Sequence, residues 1–175
     1  AYHAETIVQS PLAMKERVFM KIQEAIIKDW LADIFTAASV PREEANLISH
    51  HLVDADASGH ASHGIVRVPR YIDYIEKNMV RPVCETSTVL DQGPLLLLDG
   101  QYSFGQVLGH KVIEQARRLV RAHGIALIGL RPAGHLGRIG AWAELLADQG
   151  LTSVHFVTVT GSAIVAPFGS REARL

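Results

Sequence analysis

The chain has 175 residues, 48% of them hydrophobic and 20% charged, which is the composition of a globular domain large enough to bury a core. The formal net charge is −1 and no basic stripe is visible in the sequence, so the electrostatic footprint of a nucleic-acid binder is missing. A single cysteine, Cys84, leaves no internal disulfide, and no apolar run reaches the ~18 to 20 residues that span a bilayer, so the expectation is a cytoplasmic protein with no nucleic-acid or membrane partner.

Residues 1–13 carry no clear period. Val18, Ile22, Ile26, Trp30 and Ile34 then recur at every fourth position, with Phe19 and Leu31 beside them, and predict an amphipathic helix that buries this row. A second helix is predicted from near Pro41, because proline suits a first helical position and Glu43 and Glu44 suit the positive end of the helix dipole. Its buried face is Ala45, Ile48, Leu52 and Ala55, and it fades by Ser58-Gly59. A third helix is predicted from about Pro69 to Lys77.

From residue 86 the pattern changes to short strands, "TSTVL" and "PLLLLDG", separated by the turn signal Gln92-Gly93. A long helix is predicted over Gly105 to His123, with Val112, Ile113, Ala116, Leu119 and Val120 inward. "GIALIGL" (Gly124 to Leu130) reads as a buried strand, followed by a helix over Ile139 to Gln149 and a strand over Thr152 to Thr158. Strand, helix, strand in that order predicts an α/β layer with a parallel component. With few strands after residue 86, such a layer is incomplete, which reads as the N-terminal part of something longer or a domain completed by a partner.

The chemistry concentrates in "SGHASHGIVRVPRY" (Ser58 to Tyr71). His63 lies between Ser62 and Gly64, where a sharp turn is expected, and histidine exchanges a proton near neutral pH. Arg67 is four residues on, and a guanidinium grips a carboxylate with two parallel hydrogen bonds. The residues leave two readings open: a site for a small acid that moves a proton at the neighbouring carbon, or a surface turn with solvated charges. His60 and His63 form an H-x-x-H, which is not the H-E-x-x-H of a zinc helix, and no cysteine pair or close carboxylate completes a metal set; no metal is expected. His50 and His51 read as exposed or partly buried helix residues.

"GHLGRIG" (Gly134 to Gly140) has the spacing G-x-x-G-x-x-G, which is neither a dinucleotide fingerprint nor a P-loop. Its glycines serve either an anion near backbone N–H groups or a tight turn, and His135 is either a second functional histidine or a helix-start residue. "VTGSAIVAPFG" (Val159 to Gly169) follows an expected strand end, where α/β folds bind ligands, and offers Thr160, Gly161 and Ser162. No G-x-S-x-G is present, and Cys84 reads as a packing residue rather than a nucleophile.

"GHASHGIVRVPRY", "GIALIGLRPAGHLGRIGAWAE" and "VTGSAIVAPFGSREARL", in this order and spacing, resemble the type-2 malate/L-lactate dehydrogenase family over roughly residues 31–175. The Ser-His-Gly-x-x-Arg element is the most specific piece. The resemblance implies NAD or NADP as cofactor, a non-Rossmann α/β fold with a mixed sheet, and an intertwined homodimer acting on a small carboxylic acid. It implies that His63 is the acid/base residue, with Ser62 orienting the site and Arg67 holding the substrate carboxylate. His135 would line the nicotinamide pocket, and Thr160, Gly161, Ser162 and Pro167 would border the cofactor. The expected division is a helical region over residues 14–80 carrying His63, and the first part of the cofactor-binding domain over 81–175.

This sequence departs from many relatives at Gly134 and Thr160, where asparagine is frequent, and at Ala141 and Trp142, where tyrosines are common. These departures bear on substrate identity rather than reaction class. Relatives of this family run to roughly twice the present length. A 175-residue polypeptide alone is therefore expected to lack hydride transfer, and the rival reading is a non-catalytic assembly domain that keeps the first half of the fold.

Overall fold

The computed structural model describes residues 22–158. Helix α1 spans Glu24–Ala37, α2 Arg42–Ala57 and α3 Val68–Glu76. Strands β1 (Ser87–Gln92) and β2 (Leu95–Asp99) form a hairpin, α4 (Gly105–His123) crosses over, and β3 (Leu127–Leu130) and α5 (Ile139–Ala147) follow. The sheet order is β1-β2-β3. β1 pairs antiparallel with β2, with a register irregularity between Thr88 and Leu90, and β3 pairs parallel with β2, Leu95 opposite Leu127 and Leu98 opposite Leu130. A mixed α/β fold is therefore present, with the parallel pair joined through α4 as the β-helix-β order predicts.

Three of the helices form as their patterns dictate. In α2, Ala45, Ile48, Leu52 and Ala55 are all fully buried, and Glu43 and Glu44 occupy the first turn. α3 has a proline in its first turn, where no N–H is missed. α4 ends at Gly124, whose φ of 77° is the left-handed cap that glycine adopts without strain.

Other expectations need correction. In α1 the row Ile26, Trp30 and Ile34 is 41 to 56% exposed, whereas Leu31, Ala32 and Phe35 are buried. The inward row sits one position later, because the face of α1 that meets α2 runs through Ile27, Leu31 and Phe35. Val18 and Phe19 lie outside the described residues. "GIALIGL" yields a four-residue strand with a neighbour on one side only among the described residues, and not a buried one: Ile125 and Leu127 are 66 and 67% exposed, while Ile128 and Leu130 pack against Leu96, Leu98 and Leu119. Residues 152–158 do not form a strand, since no described strand pairs with them, and Phe156 is 92% exposed.

The main core joins the helices to the sheet side. Phe35, Ile48, Leu52 and Tyr71 pack with Phe104, Val107 and Leu108 from the start of α4. Phe35 and Phe104 meet edge to face at 5.9 Å between ring centres. This packing brings the end of α2, the start of α3, the first turn of α4 and the loop after β3 to one place.

Candidate active site

Between α2 and α3 the chain makes two short 3-10 turns, Ala61–His63 and Ile65–Arg67, rather than one helix. Asp56, near the end of α2, shapes them: its Oδ2 accepts the Ile65 N–H at 2.8 Å. A Cβ on Gly64 would fall 2.1 Å from Asp56 Oδ1, so any side chain beside His63 would displace the carboxylate packed there. The turn is closed again by the His63 N–H, which donates to the His60 carbonyl at 2.8 Å.

Ser62 Oγ lies 2.9 Å from His63 Nδ1, and Arg67 donates from Nε to the Ser62 carbonyl. That bond uses the inner nitrogen of the guanidinium and leaves its terminal fork for another acceptor. Ser62, Arg67, Val66 and Arg70 line a cavity of about 260 Å³. The bidentate geometry of a guanidinium toward a carboxylate is thus available at a cleft rather than spent on the protein.

His135 arrives from the loop after β3 and lies over His63, with ring centres 5.2 Å apart and planes 25° from parallel. Its Nδ1 is 2.8 Å from the Tyr71 hydroxyl, which accepts a hydrogen bond from Gln106 Nε2 at 2.8 Å. His135 is therefore brought to Ser62, His63 and Arg67 from a distant part of the chain. Thr160, Gly161, Ser162 and Pro167 lie outside the described residues.

Burial sets the charge of this cluster. His135 is pushed down to about 4, by desolvation first and by the positive field of Arg67 next. His63 is also lowered, by desolvation and then by Arg67 and His60. Both rings are thus neutral at neutral pH. The Tyr71 phenol, 2% exposed, is pushed up to about 12 by burial and keeps its proton.

The glycines of "GHLGRIG" are occupied by packing. Gly134 donates to the Ser103 carbonyl at 2.8 Å, and a Cβ on it would lie 2.7 Å from that oxygen. Gly137 has a φ of 71°, and a Cβ there would strike His51 at 2.2 Å. The Arg138 N–H donates to His51 Nε2 at 2.9 Å, so this amide serves the fold and not an anion. His51, expected to be exposed or partly buried, is 6% exposed; it stacks on Trp142 at 4.9 Å and is pushed down to about 4, chiefly by desolvation. Arg138, itself 7% exposed, binds Asp54 at 2.7 Å and Glu144 at 2.6 Å, tying α2 to α5.

Several of these residues escape a reading of local pattern. Tyr71 carries a faint signal, standing four and eight residues after Arg67 and His63. Gln106, Asp56 and the His51–Arg138 pair carry none, because their partners are set by tertiary packing. His60 has its Nδ1 on the Ser58 carbonyl at 3.0 Å, and among the described residues no three His, Cys, Asp or Glu side chains converge as metal ligands. Cys84 is buried in the main core, where desolvation raises its thiol pKa, as suits a packing residue.

Comparison with known proteins adds to this geometry. The malate/L-lactate dehydrogenase family profile matches residues 22–175. The chain is 39% identical to an L-lactate dehydrogenase of Cupriavidus necator over 157 residues, covering 89% of this chain and 45% of that protein. It is 36% identical to hydroxycarboxylate dehydrogenase B of Escherichia coli, covering 85% and 41%. Among solved structures it resembles the sulfolactate dehydrogenase of Methanocaldococcus jannaschii, with a TM-score of 0.71 at 31% identity over 74% of this chain and 38% of that one. The chain thus spans somewhat under half the length of the relatives it matches.

Proposed function

The chain belongs to the malate/L-lactate dehydrogenase family, and from that premise we propose that the protein interconverts a small 2-hydroxy acid and its 2-oxo acid. The observation that carries the reading is the assembly of Ser62, His63 and Arg67 in one turn beneath His135.

His63 is the acid/base group. With the Nδ1 proton donated to Ser62 Oγ, Nε2 presents a bare lone pair, and the lowered pKa keeps it bare at neutral pH. In the oxidative direction Nε2 takes the proton of the substrate hydroxyl; in the reductive direction the resulting imidazolium returns it to the oxygen of the 2-oxo group. Ser62 holds the ring orientation. Arg67, fixed through Nε, turns its terminal fork to the substrate carboxylate and so places the neighbouring carbon beside His63.

A nicotinamide dinucleotide, NAD or NADP, supplies hydride chemistry at that carbon. The residues present fit such a group: two stacked imidazoles held neutral by burial, and a cavity whose rim carries the cations Arg67 and Arg70. By the family resemblance, His135 would line the nicotinamide side, and Thr160, Gly161, Ser162 and Pro167, which lie outside the described residues, would border the cofactor. The same resemblance supports a homodimer.

The test is a panel of 2-oxo acids and 2-hydroxy acids offered to the full-length protein with each nicotinamide cofactor, followed by cofactor absorbance. Turnover of at least one pair with saturable dependence on the acid is expected. Absence of turnover with every acid and both cofactors overturns the reading.

A further inference from the structure

We infer that Gln106, acting through Tyr71, fixes His135 as the tautomer that carries its proton on Nε2, and that Gln106 is thereby a positioning residue of the site.

The argument is a count of protons. Gln106 Nε2 has only hydrogens to offer, so its 2.8 Å contact with the Tyr71 oxygen makes the phenol an acceptor there. The phenol has one proton of its own. Its other partner is Nδ1 of His135, also at 2.8 Å, so the phenol donates to Nδ1. A nitrogen that accepts carries no hydrogen, and a neutral imidazole has one to place. It is on Nε2.

The surroundings hold the relay in this direction. Gln106 is fully buried and Tyr71 is 2% exposed, so water does not compete for either group. Tyr71 is clamped by Phe35 and Phe104, with ring centres at 6.4 and 5.7 Å. The backbone of His135 is pressed on the first turn of α4, where a Cβ on Gly105 would come within 2.4 Å of the His135 carbonyl oxygen. Gln106 is the next residue, so its side chain and the His135 ring keep a fixed relation. Its Oε1 is buried with no hydrogen-bond partner among the described residues. The opposite amide orientation, with Oε1 accepting the phenol proton, would put the imidazole proton on Nδ1, and that is the outcome the NMR measurement below reads. Burial also keeps the phenol protonated and the imidazole neutral, so neither end of the relay reverses in the ordinary pH range.

The consequence is a division of labour between two stacked rings. His135 presents an Nε2–H beside the His63 ring and acts as a donor to an oxygen acceptor there: a carboxylate, oxo or amide oxygen. It has no lone pair there with which to act as a base. His63, paired with a serine hydroxyl that both donates and accepts, retains the proton-transfer role. The consequence for turnover rests on the dehydrogenase reading above; the tautomer rests on the hydrogen bonds alone.

The experiment is ring nitrogen–proton correlation NMR of His135 in the full-length protein at neutral pH. The expected result is one species protonated at Nε2. Gln106→Leu keeps the bulk and removes the donor, which frees the phenol to accept as well as donate; a mixture of His135 tautomers is expected. A loss of about tenfold in kcat/KM should accompany it, the worth of one hydrogen bond. Tyr71→Phe removes the donor to Nδ1 and gives the same mixing, and it decides the matter if the leucine variant does not fold. A wild-type ring protonated at Nδ1, or an Nε2–H population unchanged in the folded variants, overturns the inference. The expected tautomers in a protein that turns over no acid would sink the proposed function and leave this assignment standing.

Discussion

Asp56 and Ile65, nine residues apart, are joined by a 2.8 Å hydrogen bond from the Ile65 amide to the Asp56 carboxylate. That bond folds the chain back at the end of α2 and sets the turn that carries Ser62 and His63, with Ser62 lining the cleft. The carboxylate occupies the space that a side chain on residue 64 would need. Gly64→Ala should therefore cost about 1 to 3 kcal/mol, through displacement of Asp56 and loss of the amide's partner. The double variant with Asp56→Ala removes the obstruction, so its cost should be less than the sum of the two single costs. Urea unfolding of the four proteins checks this; strict additivity would mean that Asp56 does not shape the turn.

Arg67 anchors itself through Nε and leaves its fork free. Arg67→Ala should raise KM for the acid at least tenfold with little change in KM for the cofactor. Arg67→Lys should restore only part, because an ammonium cannot reproduce two parallel bonds to a carboxylate. Steady-state kinetics decides it, and a change confined to the cofactor's KM contradicts the assigned contact.

His51 and His135 predict an acid-sensitive fold. Both are lowered to about 4, against an ordinary value of 6.5. The unfolded chain then binds more protons than the folded one between those values. The stability they contribute is complete above pH 6.5 and is lost progressively as pH falls toward 4. For the buried His51 the loss amounts to at most about 3 kcal/mol, and His51→Gln, which keeps an acceptor for the Arg138 amide, should flatten the slope. Denaturant midpoints between pH 7 and 4 measure this; an unchanged slope in the glutamine variant would place the acid sensitivity elsewhere.

Much of the helical frame was legible because its signals are local. Pro41 and Glu43 mark the start of α2, Gly124 the end of α4, and the inward residues of α2 repeat with the helical period. The errors have physical causes. A row of Ile26, Trp30 and Ile34 is as apolar as the row that packs, and sequence alone does not say which side α2 lies on. The apolar run ending at Leu130 looks like a central strand, yet its neighbours among the described residues lie on one edge only. Ser62, His63, Arg67 and His135 stood out through motif and spacing. Tyr71, Gln106 and the His51–Arg138 contact did not, since bonds across 35 to 87 positions leave no pattern in the residues between.

The central claim is that His63 moves the substrate proton, and the most direct measurement is kcat/KM for 2-hydroxy acid oxidation against pH in the full-length protein and in His63→Ala. The account predicts a wild-type profile that rises through a pKa below 6.5, set by the desolvated ring, and then levels. In the alanine variant that limb should vanish and turnover should fall by about 10²- to 10⁴-fold, with cofactor binding little changed. Oxidation by His63→Ala at the wild-type rate, with the acidic limb intact, would contradict it.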